Sequence, residues 1–351
     1  MYKENFQKSI ENIEAFWQKE DIGRPVISVT APLNDSSFRA PKSLEEKWLD
    51  TDYIYSAFKH RCENTYFGGE AFHSHFVNFG PGSLAAFVGS DFQLAEDTVW
   101  FDRVQIIKDW NNIPDFKIDK TTTIWQKTVE QTEKFLEDKN IITTVSDIGG
   151  IMDIIASLRG TEALLYDLYD HPDEVKSVIN KIDDLWKEAF DEFNGIISKK
   201  QEYSSSWMGI SSKLPYFPIQ CDFSAMLSPA LFEEFVLPSL VKHTEHLPRT
   251  IYHLDGPGEI PHLDMLLDID NLTAIQWVSG SGQPGLGDPR WLPMYKKIQE
   301  KNKCLVLAGI GADEIEFLLS NVDRRGLYIS TSCSSQQEAD VLIENTKKWS
   351  R

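Results

Sequence analysis

The chain has 351 residues, 41% hydrophobic and 25% charged, which suits a folded, enzyme-sized protein whose core needs no cross-links. Its 54 acidic and 35 basic side chains leave a formal charge of −19, which argues against nucleic acid and against an anionic membrane surface as partners. Cys62, Cys221, Cys304 and Cys333 are scattered without a CxxC pair, the opening residues carry no apolar leader, and no run of about 18 apolar residues occurs, so a reduced, cytoplasmic protein is expected.

Short apolar runs alternate with longer helical patterns. The runs Val26–Thr30, His75–Phe79, Ile141–Ser146, Ile219–Ser224, Thr250–Leu254, Ala274–Val278, Cys304–Ala308 and Leu327–Thr331 read as strands, most of them rich in Val and Ile as buried parallel strands are. Helical periodicity covers Glu11–Lys19, Thr121–Glu137, Thr161–Tyr169, Pro172–Phe193, Pro229–Glu245, Gly258–Leu267, Pro289–Lys301, Ala312–Asn321 and Gln336–Lys348. Pro172 and Pro229 mark first turns of helices. About eight strands alternating with helices point to a (β/α)8 TIM barrel, with a doubly wound sheet as the alternative. The first 120 residues alternate poorly, so residues 1–70 are expected to form an N-terminal helical elaboration and the first strand of one domain spanning 1–351. No GxGxxG or GxxxxGK[ST] motif closes a strand, which weakens dinucleotide and P-loop readings.

In a barrel, chemistry collects at the C-terminal strand ends. His253 and Asp255 lie two apart at such an end, so their side chains share one face, as metal ligation or an oriented acid–base histidine requires. A strand-capping Asp with a half-buried His is the alternative. Cys333 follows the last strand and offers a soft thiolate, although an ordinary loop thiol also suits it. Asp222 is a candidate catalytic residue or a cap for the helix opening near Ser228, while Cys221 beside it suits packing. Gln276 is a second catalytic candidate. Trp277, Tyr252 and Asp147 are candidate substrate contacts, Trp277 as an aromatic cavity wall. His73-Ser74-His75 has the spacing of metal-dependent barrel hydrolases, but His243 and His246 lie among charged residues mid-helix, which suits a solvated face rather than a second metal pair.

Several stretches resemble the uroporphyrinogen decarboxylase superfamily: Phe79-Gly80-Pro81-Gly82, Asp147-Ile148-Gly149-Gly150, Arg159-Gly160-Thr161-Glu162, Tyr169-Asp170-His171-Pro172, Asp222 to Pro229 with Phe232 to Pro238, and His253-Leu254-Asp255-Gly256. The resemblance spans about residue 75 to the C-terminus and implies the same barrel. True uroporphyrinogen decarboxylases use an Arg-rich segment after the first strand; here only Arg24-Pro25 matches it. The corrinoid-linked methyltransferase branch binds zinc through His-x-Cys and a late Cys. His253 matches that His and Cys333 the late Cys, while Asp255 stands at the middle Cys. One imidazole, one carboxylate and one thiolate neutralise Zn²⁺ as fully as one imidazole and two thiolates do. The resemblance therefore implies zinc-dependent transfer of a methyl group to a small-molecule thiol, from methylcobalamin carried by a partner corrinoid protein, and leaves a homodimer open. The alternatives are a decarboxylase of a carboxylated small molecule or tetrapyrrole, drawing on Arg24, Arg39 or Arg159, and a barrel that binds a small molecule without turnover.

Overall fold

The computed structural model describes residues 3, 5–101 and 104–350; Met1, Tyr2 and Glu4 of the opening stretch lie outside them. The fold is mixed α/β. Its main sheet has seven strands in the spatial order Thr65–Gly69, Val26–Pro32, Leu327–Ser332, Cys304–Ala308, Ala274–Val278, Arg249–Asp255, Tyr216–Gln220. Six of these run parallel, and Thr65–Gly69 pairs antiparallel with Val26–Pro32 at one edge. Five of the expected strands, those at 26–32, 249–255, 274–278, 304–308 and 327–332, fall where the apolar runs place them.

The ladder does not close into the expected eight-stranded ring. The runs at 75–79 and 141–146 yield only Ser74–His75 and Ile142–Thr143, which pair with each other as a separate two-stranded sheet. Side chains occupy the bonds that further strands would make. The Gln201 amide accepts from the Thr143 N–H at 2.8 Å and donates to the Thr143 carbonyl at 2.9 Å. Ser204 Oγ likewise meets Tyr216 O at 3.2 Å and Tyr216 N at 3.3 Å at the opposite edge. Buried main-chain polar groups need partners, and these side chains supply them where strand pairing stops.

Period-two alternation along the strands separates two cores. Ile27, Phe217, Tyr252, Leu254, Ile275, Trp277, Leu305 and Ile329 face the surrounding helices. Tyr216, Ile251, Ala274, Cys304, Val306 and Tyr328 face the other way and pack with Ile10, Ile13, Phe16 and Trp17 of the helix Phe6–Gln18. That helix therefore covers the inner face at the N-terminal ends of the strands. Toward the C-terminal ends the same inner positions become Gln220, His253, Asp255, Gln276, Ser330 and Thr30, so polarity rises along one face.

Several helices differ from the periodicity. Leu44–Leu49 and Thr51–Glu63 give helices to the expected N-terminal elaboration, Ile151–Arg159 was not expected, and Pro229–Glu245 divides into Pro229–Phe235 and Leu237–His246. Pro238 explains the division, because it lacks an N–H and its ring crowds the preceding turn. Among the described residues no helix is long and apolar enough to cross a membrane.

The covering helix is tied to the sheet by a buried ion pair, Glu14 with Arg249 at 2.8 Å, and by Trp17 Nε1 donating to Ser211 O at 2.8 Å. Arg249→Ala leaves the Glu14 carboxylate buried without its partner. It is expected to cost about 3 kcal/mol in urea unfolding, with much of the loss recovered when Glu14→Leu and Arg249→Met are combined.

Candidate functional site

His253 stands on the inner face between Gln220 and Gln276, its register partners on the flanking strands. Its Nδ1 lies 2.8 Å from Gln276 Oε1, so Nδ1 carries the proton donated to the amide oxygen and Nε2 is left with a free lone pair that can accept a hydrogen bond or ligate a metal. The edge of the Trp207 indole meets the imidazole, with ring centres 6.5 Å apart. Asp255 follows two residues later on the same face.

Asp222 joins them from the short 3-10 turn Asp222–Met226. One donor atom each from Asp222, His253 and Asp255 lies within 4.8 Å of the others, the group of potential metal ligands found among the described residues. The position of Asp222 is fixed by Asp153, whose carboxylate accepts from the N–H groups of Asp222 at 3.2 Å and Phe223 at 2.7 Å. Asp153 itself stands in the first turn of Ile151–Arg159. Gly150, just before that helix, packs so closely that a Cβ there would sit 2.2 Å from the Gln220 carbonyl oxygen, so glycine is required for this approach. Asp222 does not cap the next helix: Ser228 Oγ does, accepting from Leu231 N.

Cys333 is not part of this group. It is buried beside a separate cavity of about 430 Å³ that Arg61 and His60 also line, and its backbone N–H bonds to Thr30 O at 2.9 Å. Burial raises its thiol pKa. The donor set that the fold gathers is thus carboxylate, imidazole and carboxylate, with Asp222 in the place expected for sulfur. Tyr252 and Trp277 also lie elsewhere. Both are fully buried on the outer face, Tyr252 with its hydroxyl 3.1 Å from Glu259 and Trp277 packed on Trp291 at 4.9 Å. Strand alternation is the reason: a residue adjacent to His253 or Gln276 must point away from them. His75 is buried in a stack on Phe135, and His243 is not solvated but buried, stacked on Trp186 and 2.8 Å from Asp183.

The carboxyl groups around His253 are crowded, and their protons reflect it. Asp147, with Oδ1 accepting from Gly149 N at 2.9 Å, is pushed up to about 7 by burial first and by Asp222 among its neighbours. Glu259 is pushed up to about 9, by burial and then by Asp222. Asp153 is raised by burial and by Asp222. Asp222 keeps part of its surface in solvent, yet its carboxyl is raised by the protein displacing water around it; His253 acts against the rise and Asp255 adds to it. Asp153 and Glu259 were not singled out in the sequence. An acid three residues after Gly150 in a helix's first turn was the only signal for Asp153, and Glu259 had none. A pocket of about 300 Å³ opens beside this cluster, with Asp153 and Asp222 on one wall and Trp100, Phe101 and Met226 on another.

No family model matches the sequence, and no curated protein is similar to it at a significant level. Among solved structures, the chain is similar to a methyltransferase from Methanosarcina mazei, with a TM-score of 0.60 at 10% identity, over 97% of this chain and 98% of that one. At that identity the likeness is one of fold.

The raised Asp147 carboxyl has a stability consequence. Its folded pKa lies above the unfolded value near 3.9, so the native state favours the neutral acid, and stability falls as pH rises from about 4 to about 7. Asp147→Asn retains an acceptor for Gly149 and removes the titration. It is expected to stabilise the protein by about 1–3 kcal/mol at pH 8 and to change little at pH 4, read from unfolding curves at both pH values.

Proposed function

We propose that the chain is a methyltransferase of the uroporphyrinogen decarboxylase-like superfamily, built on a barrel-like fold whose strand ladder is incomplete. It would transfer a methyl group from a corrinoid carried by a partner protein to a small-molecule thiol. The observation that carries this reading is the convergence of Asp222, His253 and Asp255 at the polar end of the inner face, with His253 oriented by Gln276. The fold likeness to a methyltransferase supports it.

The donor set fits a divalent ion. Two carboxylates neutralise its charge, and one imidazole supplies a borderline donor that zinc accepts. Oxygen ligands replace the sulfur expected at Cys333, so the site is harder than one containing thiolate. Asp222, His253 Nε2 and Asp255 would hold the ion. The chemistry a bound zinc supplies is the lowering of a coordinated thiol's pKa from its ordinary value near 8.5, which makes it a nucleophile at neutral pH.

The protein's own groups prepare that site. Gln276 fixes the histidine tautomer, so one ring nitrogen always faces the ligand position. Asp153 holds the turn that presents Asp222. Protonated Glu259 and partly protonated Asp147 limit the negative charge that would otherwise repel an incoming thiolate. Trp100, Phe101 and Met226 give an apolar wall against which the body of a small molecule excludes water. A methylated corrinoid, when docked, would supply an electrophilic methyl group to a sulfur presented beside Asp222, His253 and Asp255.

The arginines on which the decarboxylase alternative draws are engaged elsewhere. Arg24 is held by Glu70 at 2.6 Å, Arg39 by Glu46 at 2.8 Å and Arg159 by Asp167 at 2.6 Å, so none is free for a substrate carboxylate at the Asp222–His253–Asp255 site.

Metal analysis of purified full-length protein tests the reading. Wild type and Cys333→Ala are expected to retain about one zinc per chain, whereas His253→Ala and Asp255→Ala lose it. Loss in Cys333→Ala with retention in His253→Ala would overturn the assignment. Gln276→Leu is expected to weaken zinc binding about 10–100-fold in a chelator competition, because the imidazole is no longer held in one tautomer.

A further inference from the structure

Among the described residues, Arg61 is the arginine without a carboxylate partner. Arg24, Arg159 and Arg249 are held by buried acids, and Arg39, Arg290, Arg324 and Arg325 by more exposed ones. In a chain carrying −19, an arginine left unpaired is conspicuous. Arg61 projects from the helix Thr51–Glu63, with its guanidinium carbon 5.0 Å from the centre of the Phe58 ring. The ring supports the face of the group, and no described protein acceptor takes its N–H bonds.

Arg61 lines the cavity of about 430 Å³ at the C-terminal ends of strands Val26–Pro32 and Leu327–Ser332. His60 comes from the same helix and Asn64 from its C-cap, Pro32 and Phe38 give an apolar wall, and Cys333 closes one side. No aspartate or glutamate lines it. The pocket beside Asp222 has the opposite character, with two carboxylates and no cation, and the two cavities have no lining residue in common.

We infer that this cavity is a binding site for a small monocarboxylate, held by the Arg61 guanidinium with its short apolar body against Pro32 and Phe38. A guanidinium offers two parallel N–H groups at the spacing of carboxylate oxygens. One fixed positive charge matches one negative charge, whereas a doubly charged phosphate would meet an acidic protein with too few cations to balance it. This ligand is separate from the metal and methyl acceptor proposed above, and Arg61 takes no part in that site.

The Cys333 thiol on the cavity wall makes the inference measurable. Iodoacetate is itself a monocarboxylate, and iodoacetamide is its neutral counterpart. With either reagent the thiolate attacks the methylene carbon, a sulfur–carbon bond forms, iodide leaves and the thiol proton passes to buffer. The full-length protein is labelled at pH 8 and mapped by mass spectrometry, with the more deeply buried Cys62, Cys221 and Cys304 as internal controls for unfolding. The ratio of iodoacetate to iodoacetamide labelling at Cys333 is expected to fall roughly five- to ten-fold in Arg61→Gln. Propionate is expected to protect Cys333 in the wild type and not in Arg61→Gln. A ratio unchanged by Arg61→Gln, or equal protection by propionate and inorganic phosphate, overturns the inference. If Cys333 resists both reagents, saturation-transfer NMR of propionate decides: a signal in wild type that disappears in Arg61→Gln supports the site, and a signal absent from wild type or retained in the variant overturns it.

Discussion

The constraint on which the molecule depends is that side chains on a strand alternate between two faces. Along each parallel strand one set of residues joins the helix-facing core and the other joins a smaller core covered by the N-terminal helix. Because that helix covers only the N-terminal ends, the inner positions further along each strand are left without apolar partners. On five of the six parallel strands they include Gln, His, Asp, Ser or Thr, and the candidate site lies there. The same alternation that buries Trp277 turns Gln276 toward His253.

Electrostatics gives that inner end its character. Asp222 and Asp255 flank one imidazole, Asp147 interacts with both Asp222 and His253, and Asp153 and Glu259 lie close enough to feel Asp222, with no arginine or lysine ion-paired to any of the five among the described residues. Several of these acids respond by holding their protons, which is the cheaper outcome when charges are crowded out of water. Elsewhere on the same rim the pattern reverses at Arg61, so the strand ends present two chemically opposite cavities.

The strands from Arg249 onward were legible because buried parallel strands need long apolar runs, and the chain carries them at 249–255, 274–278, 304–308 and 327–332. The strands at Ser74 and Ile142 were overestimated. Their apolar runs are real, but most of each run packs in irregular backbone whose polar groups are met by side chains such as Gln201. The strand expected at 219–224 lies at 216–220 instead, because the Asp153 carboxylate turns the chain at Asp222 and Phe223. In the site, His253, Asp255 and Gln276 could be read from their positions at strand ends. Asp153 and Arg61 could not, since what distinguishes them is which groups are nearby and which are missing.

The sequence by itself determined the alternation of strands and helices, the acidic balance, and the pairing of His253 with Asp255 on one face, because each follows from local spacing or composition. Tertiary structure alone decided the third donor. Both Asp222 and Cys333 follow strands and both carry suitable chemistry, but the path of the chain beyond each strand brings only the Asp222 carboxylate within reach of His253. A donor's type is written in the sequence; the distance between donors from separate segments is set by packing.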